Sequence, residues 1–274
     1  MPRSTATWIT PEQAAAAMES GRGEGIRVAV LDSGVEWDHP DLSRIKIADD
    51  ISIEENDGIL EAKPGKRLDL FGHGSAVASI VHEIAPEAEI GSIRVLDVRN
   101  QSQSEMICYG ARVAMERGYH ILNCSFGARL KAQVLMFKDW VDDAYLAGIH
   151  VVAACNNDDF RKPEWPGDFT SVLTVNMLDT PHREMIFRNP AGTLVEFAAL
   201  GVNVNVPWKG GLRRDATGSS FAAPRAAGLL ARILSVFPNL SPLHAKSLLQ
   251  EIARGVPPKK RLRLPGHTSQ GGGG

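Results

Sequence analysis

Apolar residues in this chain fall into short continuous runs, separated by longer segments with helical periodicity. Residues 26–31, for example, are apolar on both faces, which is typical of an inner strand of a parallel sheet. The predicted strands are residues 26–31, 90–96, 119–126, 149–154, 171–177 and 195–199. The predicted helices are residues 11–20, 75–81, 104–117, 134–147, 221–230 and 242–253.

The alternation of strands and helices predicts an α/β fold of three layers, a central and mostly parallel β-sheet with helices on both faces. The polar segment up to about Lys66 has no clear pattern and predicts no element. We divide the chain into an N-terminal helical extension (1–24), one α/β domain (25–255) and a flexible basic, glycine-rich tail (256–274).

Composition and charge limit the classes of binding partner and indicate the cellular compartment. A chain of 274 residues suits one large α/β domain, and its formal net charge of −2 gives no reason to expect nucleic acid or an anionic membrane. The first ten residues lack the apolar stretch of a secretory signal, and two of the three cysteines lie in apolar runs, as buried reduced thiols do. We expect a cytoplasmic protein, although an excised domain of a secreted precursor would look the same.

Three polar residues stand at predicted element ends. Ser220 lies where a Gly-Ser-Ser turn enters an apolar helix, so that free backbone N–H groups stand beside its hydroxyl. Asp32 follows a central strand, and His73 precedes a helix. A serine nucleophile needs such a base and an orienting carboxylate. Taken singly, each has a structural alternative: an N-cap for Ser220, a strand-end turn for Asp32 and a helix cap for His73.

Five sequence blocks resemble those of the subtilisin-like serine proteases (subtilases, peptidase S8). Three are V-A-V-L-D-S-G at Asp32, G-H-G-S-A-V-A at His73 and G-S-S-F-A-A-P at Ser220, in the subtilisin order of Asp, His and Ser. N-C-S-F-G resembles the strand that lines the family's substrate cleft, and V-V-A-A-C-N the segment with its oxyanion asparagine. The resemblance covers residues 25 to 255, which it marks as a subtilisin-like peptidase domain.

The resemblance implies a role for each matching residue. Ser220 would attack the scissile carbonyl, His73 would carry its proton, and Asp32 would orient the imidazole. Asn156 and the backbone N–H of Ser220 would bind the oxyanion. The substrate-binding residues that it implies are Ser125, Phe126, Gly127, Cys155 and Glu164.

Two of these positions bear on specificity. Cys155 stands where the family usually has glycine, and we interpret it as a small buried side chain in the pocket wall rather than a second nucleophile. W-P-G at residues 165–167 resembles the far wall of the primary pocket, which would put Glu164 near its floor. A buried carboxylate there would favour Arg or Lys before the scissile bond, whereas a solvated acidic loop is the alternative.

The resemblance also bears on cofactors, substrate and inhibitor. The insertion that forms a calcium loop in secreted family members is absent, so we predict no cofactor, no metal site and no obligatory calcium. We expect a peptide or protein substrate. We identify no separate pro-domain ahead of the blocks, and we expect either that an inhibitory pro-segment has been removed or that a partner protein restrains the enzyme.

The predicted function is therefore a serine endopeptidase that acts through an acyl-enzyme, as an intracellular processing protease. Two alternatives stay open. One is a transpeptidase or macrocyclase that releases the same acyl-enzyme to an amine. The other is a non-catalytic pseudo-protease that binds peptides.

Overall fold

The computed structural model describes residues 8–159, 162–189 and 195–256, so the predicted tail lies almost wholly outside the described residues. The helices are α1 (Pro11–Ser20), α2 (His73–Ile84), α3 (Ser104–Glu116), α4 (Val134–Leu146), α5 (Ser219–Val236) and α6 (Pro242–Ile252). The strands are β1 (Arg27–Asp32), β2 (Lys46–Asn56), β3 (Ile59–Pro64), β4 (Glu89–Arg94), β5 (Ile121–Cys124), β6 (His150–Ala154), β7 (Leu173–Leu178), β8 (Phe187–Arg188), β9 (Phe197–Leu200), β10 (Val204–Trp208), β11 (Leu212–Ala216) and β12 (Arg254–Gly255).

Ten of the described strands form one sheet, in the order β12-β8-β9-β7-β6-β5-β1-β4-β2-β3. Within it only β2–β3 and β8–β9 pair antiparallel. Strand β1 lies inside the sheet, with Val28 opposite Ile121 of β5 and Ile90 of β4. The predicted α/β fold with a mostly parallel central sheet is confirmed.

Side chains of β1 alternate between the two faces of the sheet, as a strand period of two requires. Val28 and Val30 join a core that helices α2 and α5 also line, and Ala29 and Leu31 join a second core beneath α3 and α4. Helix α1 packs against α5 and α6 and buries Ala14 in the first core. In the part of the chain that the structure describes, no helix is long and apolar enough to cross a bilayer.

The polar segment before Lys66, for which we predicted no element, forms the β2–β3 hairpin. Its two-residue turn holds Asp57 and Gly58 at φ angles of +50° and +79°, the turn geometry that Asp-Gly favours. Ile51 and Ile53 are buried, but acidic residues at the surrounding positions hide the strand pattern. Strand β2 extends the central sheet by pairing with β4.

A second hairpin that we did not predict, β10–β11, covers the segment leading into α2. Lys209 Nζ donates a hydrogen bond to the Leu70 carbonyl at 2.9 Å. The indole of Trp208 lies so close to Gly72 that a Cβ there would overlap it. Gly72 also has a φ of +114°, so this approach to α2 requires glycine.

Candidate active site

The candidate residues meet at one edge of the sheet because β1, β5 and β6 are neighbours with parallel directions. Asp32 ends β1, Ser125 follows β5 and Asn156 follows β6. The carboxyl ends of parallel strands are where sites form in open α/β sheets. Helix α2 starts at His73, two residues earlier than predicted, and Ser220 lies in the first turn of α5.

Asp32 and His73 are in direct contact. His73 Nδ1 donates to the Asp32 carboxylate, at 2.8 Å from Oδ1 and 2.9 Å from Oδ2, and both side chains are buried. With the proton on Nδ1, the neutral imidazole offers its lone pair at Nε2. Burial lowers the pKa of His73, but the charge of Asp32, their hydrogen bond and the charge of Asp69 outweigh it, so the pKa is raised.

The buried Asp69 carboxylate organises the loop that ends at α2, a role that the sequence did not reveal. It accepts hydrogen bonds from the backbone N–H groups of Phe71 (3.0 Å), Gly72 (2.6 Å) and Ser75 (2.7 Å). The Ser33 hydroxyl lies 2.7 Å from the same carboxylate. An aspartate three residues before a glycine N-cap was the available signal, since such side chains often accept local backbone N–H groups.

The first turn of α5 is fixed against the rest of the site. Ser219 N–H donates to Asn157 Oδ1 at 2.7 Å, and Ser220 is half-buried. The ring of the next residue, Phe221, lies 5.3 Å from that of His73 between centroids, which brings this turn beside the imidazole. The Ser220 N–H belongs to the helix's first turn, where backbone donors lack intrahelical acceptors.

Ser125 contacts the backbone of the candidate nucleophile. Its hydroxyl donates to the Ser220 carbonyl at 3.0 Å and accepts a hydrogen bond from Asn123 Nδ2 at 2.9 Å. Both side chains are buried. The resemblance had implied a substrate contact for Ser125, and the structure adds this link to helix α5.

Asn156 presents its amide nitrogen as a donor. Its Oδ1 accepts the backbone N–H groups of Asp158 at 2.9 Å and Asp159 at 3.0 Å, and the side chain is buried. Because the carbonyl oxygen is held in this way, Nδ2 is the group that can donate to a developing oxyanion.

Cys155 is a buried side chain, as we interpreted it from the sequence. Its Sγ lies 3.7 Å from the Asn156 carbonyl oxygen, and burial raises the pKa of the thiol to about 12. The thiol is therefore protonated near neutral pH and is not an activated nucleophile. Its own carbonyl accepts the Ser219 hydroxyl at 2.6 Å.

Glu164 lies beside the predicted pocket wall, but its carboxylate already has a cationic partner. A Cβ at Gly127 would overlap Glu164 Oε2, so the carboxylate fills the space against that glycine. Arg129 Nε donates to Glu164 Oε1 at 2.5 Å. We did not predict this partner from the sequence, since Arg129 lies 35 residues away from Glu164 along the chain.

An open cavity of about 450 Å³ continues from Gly127 along the same edge. Phe126 and Gly127, which the resemblance implied as substrate-binding residues, line this cavity, whereas the rest of its lining was not predicted. Its apolar lining comes from Leu96, Ile107, Phe126, Ala128 and Leu130.

Lys246 of α6 has a buried ammonium group that is surrounded by oxygen atoms of other segments. Lys246 Nζ donates to the carbonyls of Thr170 and Val172, each at 2.8 Å, and lies 2.7 Å from the Glu196 carboxylate.

Across the described ranges, no cluster of three or more His, Cys, Asp or Glu side chains could hold a metal ion.

The chain is similar to several known proteins. The chain is similar to the M-protease of Shouchella clausii, with 28% identity over 93% of this chain and 66% of that protein, so it spans about two thirds of that relative. It is 31% identical to an intracellular serine protease of Paenibacillus polymyxa, over 81% of this chain and 70% of that protein. The solved structure of Sphericase matches with a TM-score of 0.71 and 24% identity, over 90% of this chain and 91% of that one.

The family model described as the Subtilase family (peptidase S8) matches residues 23–271. That range includes all five sequence blocks and the sheet edge where the candidate residues meet. This chain therefore belongs to the subtilase family.

Proposed function

We propose that the protein is a serine endopeptidase that hydrolyses peptide bonds through an acyl-enzyme. The observation that carries the proposal is the buried contact of His73 Nδ1 with both Asp32 oxygens, beside the helix turn that carries Ser220. In the first step, Ser220 Oγ attacks the substrate carbonyl carbon and His73 Nε2 takes its proton. Asp32 keeps the imidazole oriented and stabilises the imidazolium.

The tetrahedral intermediate then collapses. Its oxyanion accepts hydrogen bonds from Asn156 Nδ2 and the Ser220 N–H, and losing one such donor costs about 10²–10³ in rate. The C–N bond breaks as His73 protonates the leaving amine, leaving the acyl group on Ser220. Water, deprotonated by His73, attacks the ester, and the carboxylic acid product leaves with Ser220 reprotonated.

We further propose a preference for Arg or Lys before the scissile bond. The support is Glu164, a residue that is 6% exposed and whose carboxylate lies against Gly127. A basic side chain reaching this position would gain a charge-assisted hydrogen bond. The 450 Å³ cavity beyond Gly127 has Leu96, Ile107 and Phe126 in its lining, which suit a large apolar side chain elsewhere on the substrate.

We also propose an intracellular processing role that requires no calcium, with a pro-segment or partner protein as inhibitor. A relative of 31% identity carries the name intracellular serine protease, and all three cysteines are free and buried. Reduced thiols suit a reducing compartment.

The proposal that the protein requires no calcium predicts that EDTA leaves its melting temperature and its peptidase activity unchanged. A fall in either would contradict it.

The experiment that tests the hydrolase is mass spectrometry of products from an unstructured protein substrate, with Ser220→Ala as the control. We expect fragments whose summed mass exceeds that of the substrate by one water per cleavage, formed by the wild type alone. Cyclised or joined products without added water would favour the transpeptidase. Equal fragments from Ser220→Ala would contradict the assignment of the nucleophile.

A further inference from the structure

Arg129 joins two segments that border the predicted substrate pocket. Its Nε donates to Glu164 Oε1 at 2.5 Å, and one of its terminal nitrogens lies 3.2 Å from Asp158 Oδ2. Asp158 belongs to the segment that follows Asn156, and its backbone N–H donates to that side chain. Arg129 follows the predicted cleft strand that ends at Gly127. Its guanidinium therefore connects this part of the chain to Glu164, beside the far wall of the pocket, and to Asp158, which follows the candidate oxyanion residue Asn156.

The three side chains differ sharply in exposure. The Glu164 side chain is 7% exposed, whereas those of Arg129 and Asp158 are 60% and 76% exposed. A buried carboxylate needs a partner, and here the partner comes from a side chain that reaches in from solvent. The guanidinium can leave Glu164 while keeping its contact with Asp158, because only Glu164 is fixed by burial.

We propose that Arg129 is a built-in counter-ion of Glu164, which a basic substrate side chain must displace, so that Arg129 sets the strength of the Arg/Lys preference. The proposal rests on the proposed peptidase function. Without substrate, two carboxylates share one guanidinium. A substrate Arg or Lys supplies a second cation, takes over Glu164, and leaves Arg129 paired with Asp158.

This arrangement predicts the direction of each substitution. Arg129→Met keeps an apolar stem but removes the competing charge, so a basic substrate side chain meets an unpaired carboxylate. We expect its selectivity for basic substrates to rise about tenfold, a modest factor because Arg129 is mostly exposed. Arg129→Lys keeps the charge and should stay close to wild type.

The experiment compares kcat/KM for peptides that differ only in having Arg, Lys or Leu before the scissile bond. The ratio of the Arg to the Leu value is the readout, since a general loosening of the pocket would change both values together. Arg112→Met is the matched control, because Arg112 on α3 is also partly exposed and joins two carboxylates, Asp139 and Asp143 of α4. Glu164→Gln should lower the ratio and abolish the effect of Arg129→Met.

A raised Arg/Leu ratio in Arg129→Met alone supports the proposal. An unchanged ratio, or equal losses for both peptides, overturns it, and Arg129→Gln serves the same test should Arg129→Met not fold. Failure of the wild type to cleave any peptide or to react with a fluorophosphonate would instead overturn the peptidase function on which the proposal rests.

Discussion

The Ser125 hydroxyl donates a hydrogen bond to the backbone carbonyl of Ser220 at 3.0 Å. In a regular helix that carbonyl would accept the N–H of the residue four positions later, but that residue is Pro224, which has no N–H. Ser125 therefore supplies the donor that the proline removes. The pair fixes the first turn of α5 to the end of β5, across 95 residues of chain.

Ser125→Ala is expected to loosen that turn. The Ser220 carbonyl would lose its donor, which costs about 1 kcal/mol of stability, and we expect acylation to slow by roughly tenfold as the nucleophile moves. The rate of fluorophosphonate labelling and the melting temperature measure the two effects. Ser43→Ala is the control, because Ser43 is exposed and its hydroxyl also donates to a backbone carbonyl, that of Pro40. A wild-type labelling rate in Ser125→Ala would contradict the link between Ser125 and the position of Ser220.

The raised pKa of His73 predicts the pH dependence of activity. The imidazole acts as a base only when neutral, so kcat/KM should rise with pH through a midpoint above the ordinary histidine value of about 6.5. The charge of Asp69 contributes to the rise in this pKa, so Asp69→Asn should move the midpoint to lower pH. A pH–rate profile of both proteins, with folding checked by melting temperature, measures this. A midpoint that stays fixed or moves upward in Asp69→Asn would disprove it.

Cys155 should resist alkylation in the folded protein. With a pKa of about 12, roughly one thiol in 10⁴ is ionised at pH 8, and the side chain is buried. Iodoacetamide followed by peptide mass mapping measures this, and the same protein unfolded in guanidinium is the control, in which all three cysteines should react. Rapid labelling of Cys155 in the native state would show an exposed or activated thiol.

Lys246 should contribute strongly to stability. Lys246→Met would leave the carbonyls of Thr170 and Val172 and the Glu196 carboxylate without their cationic donor. We expect a loss of about 3 kcal/mol in the free energy of unfolding, measured by urea denaturation. Lys138→Met removes an exposed ion pair within one helix and should cost less than about 0.5 kcal/mol. Equal, small losses in both variants would refute a structural role for Lys246.

Local patterns predicted the sheet, whereas the expectation that Asp32, His73 and Ser220 form one site came from the family resemblance. Apolar runs of strand length identify the inner strands, and Asp32 ends one of them, whereas His73 and Ser220 lie at the starts of helices α2 and α5. The β2–β3 hairpin escaped the prediction because acidic residues mask its alternation, although Asn56-Asp57-Gly58 was a usable turn signal. With that turn recognised, Ile51 and Ile53 fit a strand buried on one face.

The parts of the site that escaped prediction depend on contacts between distant segments. No sequence pattern near Glu164 predicts its contact with Arg129, and none near Ser125 predicts its contact with the carbonyl of Ser220. Such pairs form only when the folded sheet brings loop ends together. A sequence can therefore supply the candidate residues of this site, while the charge state of its pocket depends on the three-dimensional arrangement.

The most direct test of the account is intact-mass spectrometry of the protein after incubation with a fluorophosphonate, on wild type and Ser220→Ala. The contact between Asp32 and His73 beside Ser220 predicts one adduct on the wild type, located at Ser220 by peptide mapping, and none on Ser220→Ala. Asp32→Asn should label far more slowly. Folded wild-type protein that gains no adduct, or an equal adduct on Ser220→Ala, would contradict an activated serine at this position.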